Sequence, residues 1–124
     1  MQLLLVVAGG AVGTLFRYQI ATRLQGASGG DFPIGTLAVN VSGAFIAGIL
    51  ATLLLERSAF STEVRTAILV GVLGGYTTFS AFSVETLTLT NEGQWGLATL
   101  NVAASVASAL FAVWAGQTVA RIWS

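Results

Sequence analysis

Gly71-Val72-Leu73-Gly74-Gly75-Tyr76-Thr77-Thr78-Phe79-Ser80 lies in the middle of an apolar stretch at about 64–89, and it is poorly suited to an unbroken helix. Adjacent glycines cost backbone entropy in a helix and adjacent threonines are β-branched, so Gly74-Gly75 and Thr77-Thr78 weaken the same turn. Should the stretch cross a bilayer, non-helical backbone at that depth survives only where it is buried in protein or lines a polar cavity. A break there frees carbonyl oxygens, hard ligands suited to Na⁺ or K⁺, and leaves a half-helix N-terminus facing whatever lies beside it. A plain kink, its gap filled by threonine hydroxyls, is the other reading of the same residues.

Composition says that the stretch does cross a bilayer. Of 124 residues 55% are hydrophobic and 8% charged, and mean hydropathy is +0.84. A soluble domain is about 25% charged, and one this small has a large surface to cover with polar groups. A helix needs about 20 mostly apolar residues to span the hydrocarbon core. Four stretches meet that test, at about 3–21, 34–55, 64–89 and 95–119. Arg17 sits near the far end of the first. The second is uncharged and follows a Gly/Ser-rich loop closed by Asp31-Phe32-Pro33; the third holds one carboxylate, Glu85; the fourth is uncharged, with Arg121 just beyond it. The connections are short and no repeat is visible, so residues 1–124 read as a single four-helix transmembrane domain. Met1-Gln2-Leu3 lacks the basic region of a signal peptide, and Leu3-Leu4-Leu5 reads as the start of a mature helix.

The charge inventory excludes whole classes of function. Net charge is zero, and the arginines are scattered with no lysine among them, so nothing resembles a nucleic-acid surface. Cysteine and histidine are absent, which removes disulfides, thiolate chemistry and the usual transition-metal ligands. No nucleophile–base pair is visible, and an enzyme is not expected.

Polar and small residues recur at helical spacing. Gly9 with Gly13, Gly43 with Ala47 and Gly71 with Gly75 are pairs that let membrane helices approach closely. Phe79 and Phe82, three apart, share a helix face; such rings commonly face lipid, but a ring edge carries partial positive charge and can meet an anion. Ser80, Ser83 and Glu85 follow, and a membrane carboxylate is a functional candidate by default. Thr36 and Asn40 share a face of the second span with Gly43, and an unpaired amide in hydrocarbon is expensive. Asn101, Ser105 and Ser108 form a polar stripe in the fourth span. This set of hydroxyl and amide donors, ring edges and one weak helix suits a small, strongly hydrated anion better than a proton-coupled cation.

The same residues resemble the Fluc/CrcB fluoride channels. The matching elements are Gly9-Gly10-x-x-Gly13 with Arg17-Tyr18, then Gly35-Thr36-Leu37-x-Val39-Asn40-x-x-Gly43, then Gly71-x-x-Gly74-Gly75-x-Thr77-Thr78-Phe79-Ser80-x-Phe82-Ser83-x-Glu85. The likeness covers essentially the whole chain in the family's order and spacing. It implies an all-α membrane protein of four transmembrane helices, the third broken at mid-membrane, assembled as an antiparallel, dual-topology homodimer with two pores lined by both subunits. It implies a structural Na⁺ at the dimer centre, held by the backbone carbonyls of Gly74 and Thr77. Phe79 and Phe82 match pore phenylalanines and Asn40 the pore asparagine, while Ser80 and Glu85 fall on the polar face of the third helix. The fourth span departs from the pattern: Asn101 stands where an aromatic hydroxyl is frequent. Ser105 is the pore candidate there, and Asn101 and Ser108 are weaker ones.

The function so implied is passive export of cytoplasmic fluoride down its gradient through the inner (plasma) membrane of a bacterium, giving fluoride resistance. A small dual-topology multidrug or cation exporter is the alternative; it needs a carboxylate in an aromatic pocket, usually in its first helix, and here Glu85 is the only candidate. A non-transporting membrane subunit leaves the weak helix beside aligned donors unexplained.

Orientation follows the basic residues of the loops. Arg57, Arg65 and Arg121 belong to one side, and Arg23, with Arg17 where it reaches the interface, to the other. So even a balance points to both orientations in one membrane. Tags on both termini, probed from each face, should each label from both sides; strictly one-sided labelling would rule out the antiparallel dimer.

Overall fold

The computed structural model describes residues 1–57 and 60–123. All regular structure among them is helical: α1 (Gln2–Ser28), α2 (Ile34–Glu56), α3 (Thr62–Thr66), a π-helical stretch Ala67–Val72, α4 (Leu73–Tyr76), α5 (Phe79–Asn91) and α6 (Trp95–Ile122). Grouped by length and apolar character they make four candidate membrane spans, Gln2–Ser28, Ile34–Glu56, Thr62–Asn91 and Trp95–Ile122. The shortest, 23 residues, reaches about 35 Å at 1.5 Å per residue, more than the roughly 30 Å hydrocarbon core.

The helix ends have local causes. α1 runs past Ala21, where hydropathy falls, because polar Arg23, Gln25 and Ser28 still keep helical backbone; it stops at Gly29, whose φ of 64° is the left-handed cap conformation. Gln25 then organises the turn, its amide donating to the carbonyls of Gly30 (3.2 Å) and Phe32 (3.1 Å) and accepting from the Gly35 N–H (3.2 Å). Ser61 caps α3 by accepting from the Val64 N–H. α5 ends in a Schellman motif around Gly93 (φ 79°), with Gln94 N–H donating to the Leu89 carbonyl at 2.8 Å and Gly93 N–H to Thr90 at 3.0 Å.

Packing is by small residues. The buried set is mostly glycine and alanine, with Val39, Leu54, Leu73 and Leu89 as the larger core members. A Cβ added at Gly13 would strike the Val72 carbonyl and one at Gly75 would lie 2.6 Å from the Gly10 carbonyl, so α1 and the third span touch backbone to backbone. On the other side, Gly48 meets the Val113 carbonyl and Gly116 the Phe45 carbonyl, a reciprocal contact between α2 and α6. Gly43 gives way to the Thr77 methyl and the Tyr76 ring. Ala112, Gly116 and Ala120, four apart, are buried along one face of α6.

The third span changes partner along its length. Its π-helical stretch and α4 pack on α1, whereas α5 packs on α6. In the π-helical stretch the Leu73 N–H donates to the Ile68 carbonyl, five residues back, a wider turn that recurs where helices are locally adapted. Gly13 is the one buried residue of α1, and Leu3, Leu4, Val7, Val12, Leu15 and Phe16 are exposed, so a broad apolar face of that helix is open to lipid or to another chain.

Candidate functional site

Between α4 and α5 two residues leave the helical region: Thr77 (φ −86°, ψ 157°) and Thr78 (φ −150°, ψ 115°) are extended. Every backbone polar group displaced from a helix needs another partner, and side chains from three elements supply several. Thr77 closes α4, its N–H and its hydroxyl both donating to the Leu73 carbonyl at 2.9 Å. The Thr78 N–H, which in a continuous helix would reach the Gly74 carbonyl, donates instead to Asn40 Oδ1 at 2.7 Å. Asn40 Nδ2 returns a bond to the Thr78 carbonyl at 2.9 Å. Thr78 Oγ1 caps α5 by accepting from the Ala81 N–H (3.1 Å), the donor that would otherwise serve the Thr77 carbonyl. Arg17 Nε donates to the Gly75 carbonyl at 2.9 Å, and Tyr76 OH shares a hydrogen bond with Ser42 Oγ at 2.9 Å.

The carbonyls of Gly74 and Thr77 therefore lose their helical donors to Asn40 and to the Thr78 hydroxyl. A Cβ at Gly74 would find nothing within 4 Å. Among the described residues no group of three or more His, Cys, Asp or Glu comes together.

Gly74 and Thr77 line one groove of about 670 Å³ with Asn40, Phe79, Phe82 and Ser105. Apart from Thr78 its remaining wall is apolar, including Ala44, Ala47, Leu73 and Ala109, and no charged residue lines it. The Phe79 and Phe82 rings stand 5.4 Å apart, tilted at 44°, and Phe79 is 77% exposed, so ring edge is available at the groove mouth. Asn40 keeps one Nδ2 hydrogen beyond its bond to Thr78. Ser105 Oγ donates to Asn101 Oδ1 (3.2 Å), so offering its proton to an anion requires rotation of the hydroxyl.

Two predicted site residues lie elsewhere. Glu85 Oε1 accepts from Thr36 Oγ1 at 2.7 Å and faces a separate hollow with Ala21, Thr22 and Gln25. Ser80 is exposed, 3.3 Å from Thr78 Oγ1. Ser80 is turned about 100° from Phe79, whereas Glu85, three residues after Phe82, is held away by its bond to Thr36 of α2. Asn101 is a buried strut, 2% exposed, donating to Thr86 Oγ1 at 2.9 Å, while Thr86 donates to the Phe82 carbonyl at 2.7 Å. Ser108 opens on the far side of α6, with Ser42, Phe45 and Phe111. Arg17, Ser42 and Tyr76 were not among the predicted site residues. A basic residue inside an apolar span was the signal for Arg17; Ser42 and Tyr76 carried none.

The chain matches the family described as CrcB-like protein, Camphor Resistance (CrcB), over residues 4–117. It is 49% identical to "Fluoride-specific ion channel FluC" of Methylococcus capsulatus over 98% of this chain, and spans about half (53%) of that protein. It is 45% identical to the protein of the same description from Geobacter sulfurreducens, covering 96% of each chain. With that from Solibacter usitatus it shares 46% identity over 98% of this chain and 99% of the relative.

Asn40 is the side chain on which the extended pair most depends. Asn40→Ala strips both Thr78 backbone groups of their partner and should cost about 1–3 kcal/mol for each group left unsatisfied. Asn40→Asp keeps the acceptor for the Thr78 N–H but sets a carboxylate oxygen against the Thr78 carbonyl in a groove lined by no charged residue, and should cost at least as much as Ala. Thermal unfolding in a fixed detergent checks the order; an Ala variant as stable as wild type would return Asn40 to the groove wall alone.

Proposed function

We propose that this chain, which belongs to the CrcB family of membrane proteins, is a fluoride-selective channel of a bacterial inner membrane. The reading rests on one observation above all: Asn40, Phe79, Phe82 and Ser105 come together in a groove without charged residues, against the extended backbone at Thr77–Thr78. Relatives sharing nearly half of its residues are described as fluoride-specific ion channels.

Fluoride is small and strongly hydrated, so a pore must replace water with several hydrogen bonds at once. The remaining Asn40 N–H and a rotated Ser105 hydroxyl supply donors, and the ring edges of Phe79 and Phe82 supply positive potential without a mobile proton. A fixed lysine or arginine would bind the ion too firmly to release it; conduction needs sites that hold weakly and in succession. Export is passive. The weak acid HF enters and dissociates inside, and the accumulated anion runs down its gradient, which gives resistance.

The functional unit is an antiparallel, dual-topology homodimer with two pores, each completed by the second subunit. The interruption of the third helix lies at mid-membrane in this arrangement. The Gly74 and Thr77 carbonyls of both copies meet at the two-fold axis and hold a Na⁺, which supplies fixed positive charge and satisfies oxygens that would otherwise be buried unpaired. The opening beside Gly74 within one chain leaves room for the second copy. A multidrug exporter is disfavoured, because Glu85 is bonded to Thr36 outside the aromatic groove.

Proteoliposome efflux separates these functions directly. Fluoride should leave, with chloride and an organic cation in a pH gradient retained. Phe79→Ile and Phe82→Ile keep apolar bulk but lose the ring quadrupole, and each should lower fluoride flux roughly tenfold, on the scale of a 1–1.5 kcal/mol aromatic contribution, with the dimer intact. A variant conducting at the wild-type rate would reduce that ring to packing.

A further inference from the structure

Arg17 is placed unlike the other basic residues. Arg57 follows α2, Arg65 lies in the five-residue α3, Arg121 is one residue from the end of α6 and Arg23 is exposed in the polar last turns of α1, whereas Arg17 is half-buried well inside α1. A charge in an apolar span is costly, and it normally pairs with a carboxylate, a backbone carbonyl or a helix end. Arg17 directs its Nε to the Gly75 carbonyl at 2.9 Å, in the turn just before the extended pair. The helical donor of that carbonyl would be the Phe79 N–H, which lies beyond Thr77 and Thr78. The close approach of Gly10 to Gly75 brings α1 near enough for the guanidinium to stand in.

The consequence is a sorting of oxygens. Arg17 lines a small hollow on the α1 side with Thr36 and with Thr78, which also borders the groove, while Gly74 and Thr77 line the groove and not the hollow. We propose that Arg17 is a positioning residue for the Gly74 and Thr77 carbonyls: by engaging the carbonyl between them it fixes the Gly75–Tyr76 peptide plane toward α1 and keeps its own charge out of the groove. The role rests on the reading that those two carbonyls hold a hard cation. Without Arg17 the Gly75 oxygen is free to turn, and the adjoining peptides lose the orientation that defines the set.

The test uses the full-length purified protein and radioactive Na⁺ as the probe, with equilibrium binding and thermal unfolding measured on Arg17→Met, Arg17→Gln and Arg17→Lys. Met offers no donor and should need about tenfold more Na⁺ for half-saturation, the scale of one charge-assisted hydrogen bond. Gln and Lys each restore a donor and should recover part of that loss, which lost packing alone would not produce. All three variants losing stability with Na⁺ affinity within roughly twofold of wild type would overturn the positioning role and leave the cation site standing. Wild type binding no Na⁺ would overturn both. If the Met variant does not assemble, the comparison rests on Gln and Lys, where shifts of roughly threefold are expected and unchanged affinity refutes the role.

Discussion

A polypeptide inside hydrocarbon has no water with which to satisfy a stray N–H or C=O, and each such group left unpaired costs several kcal/mol. That constraint bears hardest on Thr77 and Thr78, where the third span abandons helical dihedrals. The extended pair persists because the two helices before it in sequence reach in: Arg17 from α1 takes the Gly75 carbonyl, Asn40 from α2 takes both backbone groups of Thr78, and Ser42, also from α2, anchors the Tyr76 hydroxyl. The Thr78 hydroxyl starts α5 anew. Much of the rest follows from what this arrangement demands.

It demands close backbones, which is why the seams are glycine against carbonyl rather than leucine against leucine. Gly13 and Gly75 bring α1 within reach of the interruption, and Gly43 leaves room for the Thr77 methyl on α2. It also lets the third span change neighbours, from α1 before the extended pair to α6 after it. The phenylalanines are thereby carried across to Ser105, and residues from α2, the third span and α6 meet in one groove. The polar chain Ser105–Asn101–Thr86 pins α6 to α5 and fixes that juxtaposition.

How much of this was legible depended on the range of each interaction. The four spans were plain from apolar length, and the weakness at Gly74-Gly75 and Thr77-Thr78 from local propensity; the extended residues lie in that stretch. The spacing of Thr36 and Asn40 put both on one face, and both bond to the third span. Hydropathy ended the first span near Ala21, but backbone hydrogen bonding, which ignores side-chain polarity, carries α1 to Ser28. Arg17 read as an interfacial charge because its partner is 58 positions away. Glu85 followed the phenylalanines in sequence, yet a hydrogen bond from Thr36, 49 positions away, holds it at another hollow. Nothing in Ala67–Val72 marks a π-helical turn, since its residues suit any apolar helix.

The central claim is that the interruption is a fixed wall, its Gly74 and Thr77 carbonyls occupied by a resident cation while fluoride passes beside them. Fluoride efflux from proteoliposomes after prolonged exchange into Na⁺-free buffer, followed by return of Na⁺, tests this most directly. Efflux should fall with loss of the ion and recover slowly when Na⁺ is restored, without any accompanying Na⁺ movement. Full efflux with no cation bound, or a cation current that scales with Na⁺, would contradict it.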